Sequence, residues 1–182
     1  MSGSRNGSWW YRHTSSLSAF LRIIFGFIWV IDGLMKFVYL QPSDVVNLVQ
    51  SAGQGQPDWL AGWFNFWSSF VSANPSFILY SVGALELLLG FVLVLGFMRK
   101  VTYFGGIILS LIIWSIDEGF GGPYGPGSTD IGAAIIYVFV FLALLIIDSS
   151  SVTGRYSLDA IIERKTKWWS ELAGFGEPNQ RQ

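Results

Sequence analysis

The sequence contains no cysteine and a single histidine, His13, in 182 residues. Without cysteine the chain forms no disulfide, ligates no iron–sulfur cluster and has no thiol nucleophile. One histidine cannot supply two axial haem ligands, nor the imidazole-rich set of a copper or zinc site. No haem, metal or iron–sulfur cluster is therefore expected from this chain. Any redox cofactor must come from a partner or be an organic molecule held without metal ligands. Charge is also scarce: 13% of residues are charged, against roughly 25% in soluble domains. There is no P-loop, no dinucleotide fingerprint and no solenoid repeat, and nothing points to nucleic acid.

Hydrocarbon and aromatic rings take the place of charge. Hydrophobic residues make up 52% of the chain, with 9 Trp and 15 Phe, and the mean hydropathy is +0.48. A membrane-spanning helix needs about 20 mainly apolar residues. Four segments qualify, 17–40, 76–98, 101–116 and 130–147. The third is short and is expected to run on into Asp117 and Glu118 at the membrane surface. Ser128 and Thr129 are expected N-caps of the fourth. The first is too long for a signal-peptide core, carries Arg22, Asp32 and Lys36, and lacks a small-residue cleavage site, so it reads as retained. The pattern predicts an all-α integral membrane four-helix bundle. A polar N-terminal segment (1–16) precedes the membrane domain (17–148), and an amphipathic tail (149–182) follows it.

Lys and Arg are also absent from two connections, 41–75 and 117–129, which hold Asp44, Asp58, Asp117 and Glu118 instead. Basic residues cluster before the first span (Arg5, Arg12), between the second and third (Arg99, Lys100) and in the tail (Arg155, Arg164, Lys165, Lys167, Arg181). Cytoplasmic loops carry the excess of basic residues, so both termini are expected in the cytoplasm, with the chain in the plasma membrane. In the first acidic connection Trp59, Trp63 and Trp67 follow Pro57 at i, i+4, i+8, with Phe66 and Phe70 nearby. This predicts a short helix in the outer interface, either a membrane anchor or a lid over a lipid-soluble substrate. The run "GFGGPYGPGSTD" cannot be helical. In the tail, Ile161, Ile162, Trp168 and Trp169 stand beside Arg164, Lys165 and Lys167, which predicts an inner-surface helix on anionic lipid.

The few charges inside the spans are the candidate site. Arg22, Gly26, Trp29, Gly33 and Lys36 fall on one helical face, with Asp32 one turn before Lys36. Gly83, Glu86 and Gly90 share a face of the second span. Glycine lets helix backbones approach closely in lipid, so these two faces are expected to meet, with two acids and two bases neutralising one another. Such a network either fixes helix register or marks a proton or substrate path. A buried carboxylate suits proton exchange with a quinone, and Trp29 offers a face to a planar ring.

The segments "LRIIFGFIWVIDGLMKF" and "ALELLLGFVLVLGFMRK" together resemble the DoxX/DoxD-like family of small four-helix membrane proteins. The resemblance rests on Arg22, Gly26, Gly33, Lys36, Glu86 and Gly90, with Gly96 and Arg99 closing the second helix. The long first connection and "GGPYGPGSTDIG" look most like the DoxD branch. That branch implies the membrane subunit of a thiosulfate:quinone oxidoreductase working with a DoxA-like second subunit. On that basis Glu86 and Asp32 would exchange protons, Arg22 and Lys36 would tune them, and Trp29, Gly33 and Gly90 would border the quinone. The alternative is a non-catalytic accessory subunit of a larger respiratory-type complex, with the same charges serving only to hold helices. A solute carrier is disfavoured by the lack of an inverted repeat. Thiosulfate is a dianion, and the acidic connections offer it no Lys or Arg. Only Lys36 and the N-terminus of the fourth helix, opposed by Asp130, are candidates on that side, so a partner is expected to supply the anion pocket.

Overall fold

Unpaired backbone amides are costly in hydrocarbon, so segments this apolar close their hydrogen bonds along the chain as helices. The computed structural model describes residues 5–124, 130–150, 156–163 and 165–173, and among these there are helices and no strands. The expected caps Ser128 and Thr129 and the tail cations Arg155, Arg164 and Arg181 lie outside the described residues. The long helices are α1 (Arg5–Val38), α4 (Pro75–Leu95), α5 (Arg99–Ile116) and α6 (Ala133–Ser150). Two shorter ones, α2 (Pro42–Ala52) and α3 (Ala61–Ala73), fill the connection after α1. The tail carries α7 (Leu158–Glu163) and α8 (Ser170–Ala173).

Three stretches, His13–Val38, Pro75–Leu95 and Arg99–Ile116, are long and apolar enough to cross a membrane. The fourth expected span, α6, has 18 residues, about 27 Å of helix. At most 39% of any spanning window is buried, and the outward residues, Phe20, Phe27, Phe91, Ile108 and Phe139 among them, are apolar. Such faces are stable against lipid and not against water. The protein is an all-α membrane helical bundle. The helix that begins at Arg5 runs without a break into the first span, so the expected polar N-terminal segment is largely helix.

The chain forms two compact units. The first comprises Met1–Val30, Leu88–Gly105 and Phe141–Gln182. Here α1 and α4 touch backbone to backbone: a Cβ on Gly90 would lie 2.7 Å from the Gly26 carbonyl oxygen. Phe25, Trp29, Leu93, Phe141 and Leu144 form the buried core. The polar centre of this unit is Arg99. Its guanidinium reaches Asp148 at 2.9 Å and Asp159 at 3.2 Å. Ser18 and Tyr103 donate to Asp148 as well. Asp159, fully buried, also accepts the Met98 and Arg99 backbone amides at 2.8 and 3.0 Å and the Trp169 indole N–H at 2.9 Å. A tail carboxylate thus caps the N-terminus of α5, where the helix dipole favours negative charge. Trp168 is exposed, but its neighbour Trp169 packs on Phe97 at 5.2 Å and is tied to Asp159.

The second unit comprises Ile31–Leu87 and Gly106–Val140. The same close approach recurs there: a Cβ on Gly33 would lie 2.9 Å from the Gly83 carbonyl oxygen. Pro42 opens α2, and Asp44 accepts the Gln41 backbone N–H at 2.7 Å. That helix went unanticipated, although its Val45, Val46 and Val49 pack against Val71, Ile78 and Ile116. The expected aromatic helix is present as α3. Phe120 turns the chain through a positive φ of 59°. Glu118 then accepts the Ala133 and Ala134 amides at the start of α6, which explains why α6 starts cleanly there.

Candidate functional site

In the second unit, α1 and α4 meet along Gly33 and Gly83, and this contact brings Lys36 to Glu86. Lys36 Nζ lies 2.8 Å from Glu86 Oε1. Glu86 is 1% exposed, whereas the Lys36 side chain is 21% exposed. The other carboxylate oxygen, Oε2, is buried and has no hydrogen-bond partner among the described residues. A buried acceptor left unused is costly. Oε2 can accept a proton while Oε1 keeps its contact with Lys36. Asp32 is half-buried and accepts a hydrogen bond from Tyr137.

Lys36 also lines a cavity of about 170 Å³. Its walls are aliphatic and aromatic, with Val71, Leu79, Ile112, Trp67 and Phe70 among them, and Asp117 is its second ionisable residue. An apolar cavity of about 150 Å³ takes one benzene ring, so this one is ring-sized. Asp117 lies one residue past α5. Burial pushes its carboxyl up to about 6; Lys36 pulls against that rise and Glu118 adds to it. A carboxyl of that kind changes protonation near neutral pH.

Of the residues singled out in the sequence, Lys36 and Glu86 form an ion pair and Asp32 stands in the same unit, bonded to Tyr137. Arg22 makes its bonds within the first unit. Its guanidinium donates to the carbonyls of Leu93, Val94 (3.1 Å) and Tyr156 (2.7 Å). It closes the end of α4 onto the tail. Trp29 is 1% exposed and meets the protein's own rings, Phe25 at 6.2 Å and Phe141 at 6.1 Å. The space beside Gly33 and Gly90 is filled by the facing helix.

Asp117, Arg99, Asp148 and Asp159 carry no site or network role in the sequence reading, and Trp67 enters it only as part of the aromatic helix. Trp67 carried a signal in its i+4 spacing, and Asp117 one in its place at the end of an apolar run. The N-terminus of α6, a candidate anion site opposed by Asp130 in the sequence, already holds the Glu118 carboxylate.

An all-α bundle with apolar outward faces and a buried acid–base pair beside a ring-sized cavity is a polytopic membrane protein with an internal polar site. Residues 17–117, more than half the chain, match the DoxX family, and the chain belongs to that family. No curated protein and no solved structure is found to match it.

Proposed function

We propose that the chain is the membrane subunit of an oxidoreductase that delivers electrons to quinone, of the DoxD type and acting in thiosulfate oxidation with a second, membrane-anchored subunit. The observation that carries this reading is the ring-sized apolar cavity lined by Lys36 and Asp117, with Lys36 paired to the buried Glu86. Reducing a quinone to its quinol takes up two electrons and two protons. Oxidising two thiosulfate ions to one tetrathionate releases two electrons. The electrons reach the cavity from the partner, which also holds the dianion, because the Lys36 charge is neutralised by Glu86, leaving only its spare N–H donors, and the start of α6 holds Glu118. In this reading Lys36 orients the ring oxygen. Glu86 and Asp117 hold the protons, and the aromatic helix α3 keeps water out. In this reading both termini lie in the cytoplasm, in keeping with the excess of basic residues on that side, and the cavity lies toward the outer face of the plasma membrane.

A second reading, an accessory subunit of a larger complex, is favoured by one observation. The Arg99–Asp148–Asp159 network is densely bonded and ties the tail to the α4–α5 turn. Such a network serves helix register and assembly without chemistry. Purification in mild detergent, with identification of co-purifying chains and of quinone in the organic extract, separates the two. A small single-span partner with extractable quinone supports the thiosulfate reading. Large respiratory subunits and no quinone on this chain support the accessory one.

A further inference from the structure

The tryptophans of the second unit differ in one respect. Trp63 donates its indole N–H to the Ser115 carbonyl at 3.1 Å, and Trp114 donates to the Ile131 carbonyl at 2.8 Å. Trp67 has a buried Nε1 with no acceptor among the described residues, and Trp67 lines the cavity. An indole nitrogen is a donor only. A buried donor left unmade forfeits roughly what a hydrogen bond contributes, so buried Trp N–H groups normally find an acceptor. This indole is also held in place. Trp63, Phe66 and Phe70 meet it edge to face at 5.7, 5.2 and 5.7 Å.

The cavity walls give this N–H nothing to bond. Val71, Leu79, Ile112 and Ile116 are hydrocarbon, Lys36 is itself a donor, and Asp117 accepts no hydrogen bond from Trp67. The missing acceptor would therefore come from what fills the space. We propose that Trp67 is a specificity-determining residue: its N–H bonds an acceptor oxygen on a ring compound in the cavity, which thereby selects oxygen-bearing rings over hydrocarbons of equal shape. This rests on the reading of the cavity as a quinone site and names the residue that sets its ligand class. With Lys36 as a second donor, the cavity offers two donors to the two carbonyl oxygens of a quinone head, while its aliphatic walls accept the ring.

The test is equilibrium binding of two radiolabelled probes, decylbenzoquinone and decylbenzene, to the full-length protein in micelles. Trp67→Phe keeps an aromatic ring and removes the N–H. It should weaken decylbenzoquinone binding about five- to tenfold, the worth of one hydrogen bond, and leave decylbenzene binding unchanged. Trp114→Phe, whose N–H already serves a backbone carbonyl, should leave decylbenzoquinone binding unchanged. Equal binding of the quinone by Trp67→Phe and the parent would overturn the proposal, as would equal weakening of both probes. If Trp67→Phe does not fold, the parent labelled with ¹⁵N at its indoles gives the answer. The Trp67 N–H resonance should move with decylbenzoquinone and stay put with decylbenzene; no movement with the quinone overturns the proposal. Quinone turnover by the assembled complex together with Trp67-independent binding would defeat this inference and leave the redox reading standing. Trp67-dependent binding without turnover would do the reverse.

Discussion

Replacing Lys36 with Met should be far more damaging than replacing Glu86 with Gln, and the asymmetry follows from burial. Glu86 is 1% exposed and holds one contact, to Lys36, with Oε2 already unpaired. Removing the lysine strands the carboxylate in an apolar helix interface. Stranding one member of a buried pair costs about 3–5 kcal/mol. The lysine side chain is 21% exposed, so water screens the pair in part, and a loss of about 2–4 kcal/mol is the better expectation. For a chain of this size each kcal/mol shifts the melting temperature by about 2–4 °C, so Lys36→Met should melt roughly 5–15 °C lower. In Glu86→Gln the partly exposed ammonium can turn toward water, and the amide keeps a hydrogen-bonding oxygen. Its loss should stay near about 1 kcal/mol. The double variant Lys36→Met/Glu86→Gln, with no charge left to strand, should recover most of the difference. Intrinsic tryptophan fluorescence during heating in micelles reads all three, since the chain holds 9 Trp. If Lys36→Met melts with the parent, or the double variant melts no higher than Lys36→Met, the pair is not the buried acid–base contact described above.

Three other outcomes test neighbouring parts of the structure. Gly90→Ala places a Cβ 2.7 Å from the backbone oxygen of Gly26, where neither backbone can yield; it should cost about 1–3 kcal/mol, read as a lower melting temperature. Asp159→Ala removes the acceptor shared by two backbone amides, Arg99 and Trp169. It should destabilise by about 3–5 kcal/mol and speed tryptic cleavage after Lys165, and an unchanged cleavage rate would contradict the tail's docking. Asp117, raised to about 6 by burial, stays protonated in the fold at pH values where the unfolded chain ionises it, near 4. Its favourable contribution is present below about pH 4 and is lost as pH rises through about 6. Relative to Asp117→Asn, the parent's melting temperature should therefore fall across that window, and parallel pH profiles would contradict it.

Periodicity made the α1–α4 contact legible, because glycines at helical spacing on two apolar segments define faces that can approach only one way. Lys36 and Glu86 lie on those faces and were found with them. Arg22 shares the face of Lys36 but lies fourteen residues earlier, and a shared face says nothing about which residue of a neighbouring helix stands at the same depth. Asp148 was hidden because it ends an apolar run and reads as a boundary. Asp159 sits in an amphipathic tail whose pattern suits a membrane surface equally well. Trp168 and Trp169 show the limit of composition: adjacent tryptophans point different ways, and only the Asp159 acceptor decides which is buried. Asp117 read as a surface acid because the chain distance from the last apolar residue does not reveal that α2 and α3 fold back to line a cavity beside it.

The most direct test is the rate of quinone reduction per assembled complex in Glu86→Gln, with assembly quantified on the same sample. The buried carboxyl as proton carrier requires that turnover fall by at least about 100-fold, the usual worth of a positioned acid–base group, while complex yield holds near the parent's. Turnover equal to the parent's in fully assembled complex would contradict it and leave Glu86 a helix-holding residue.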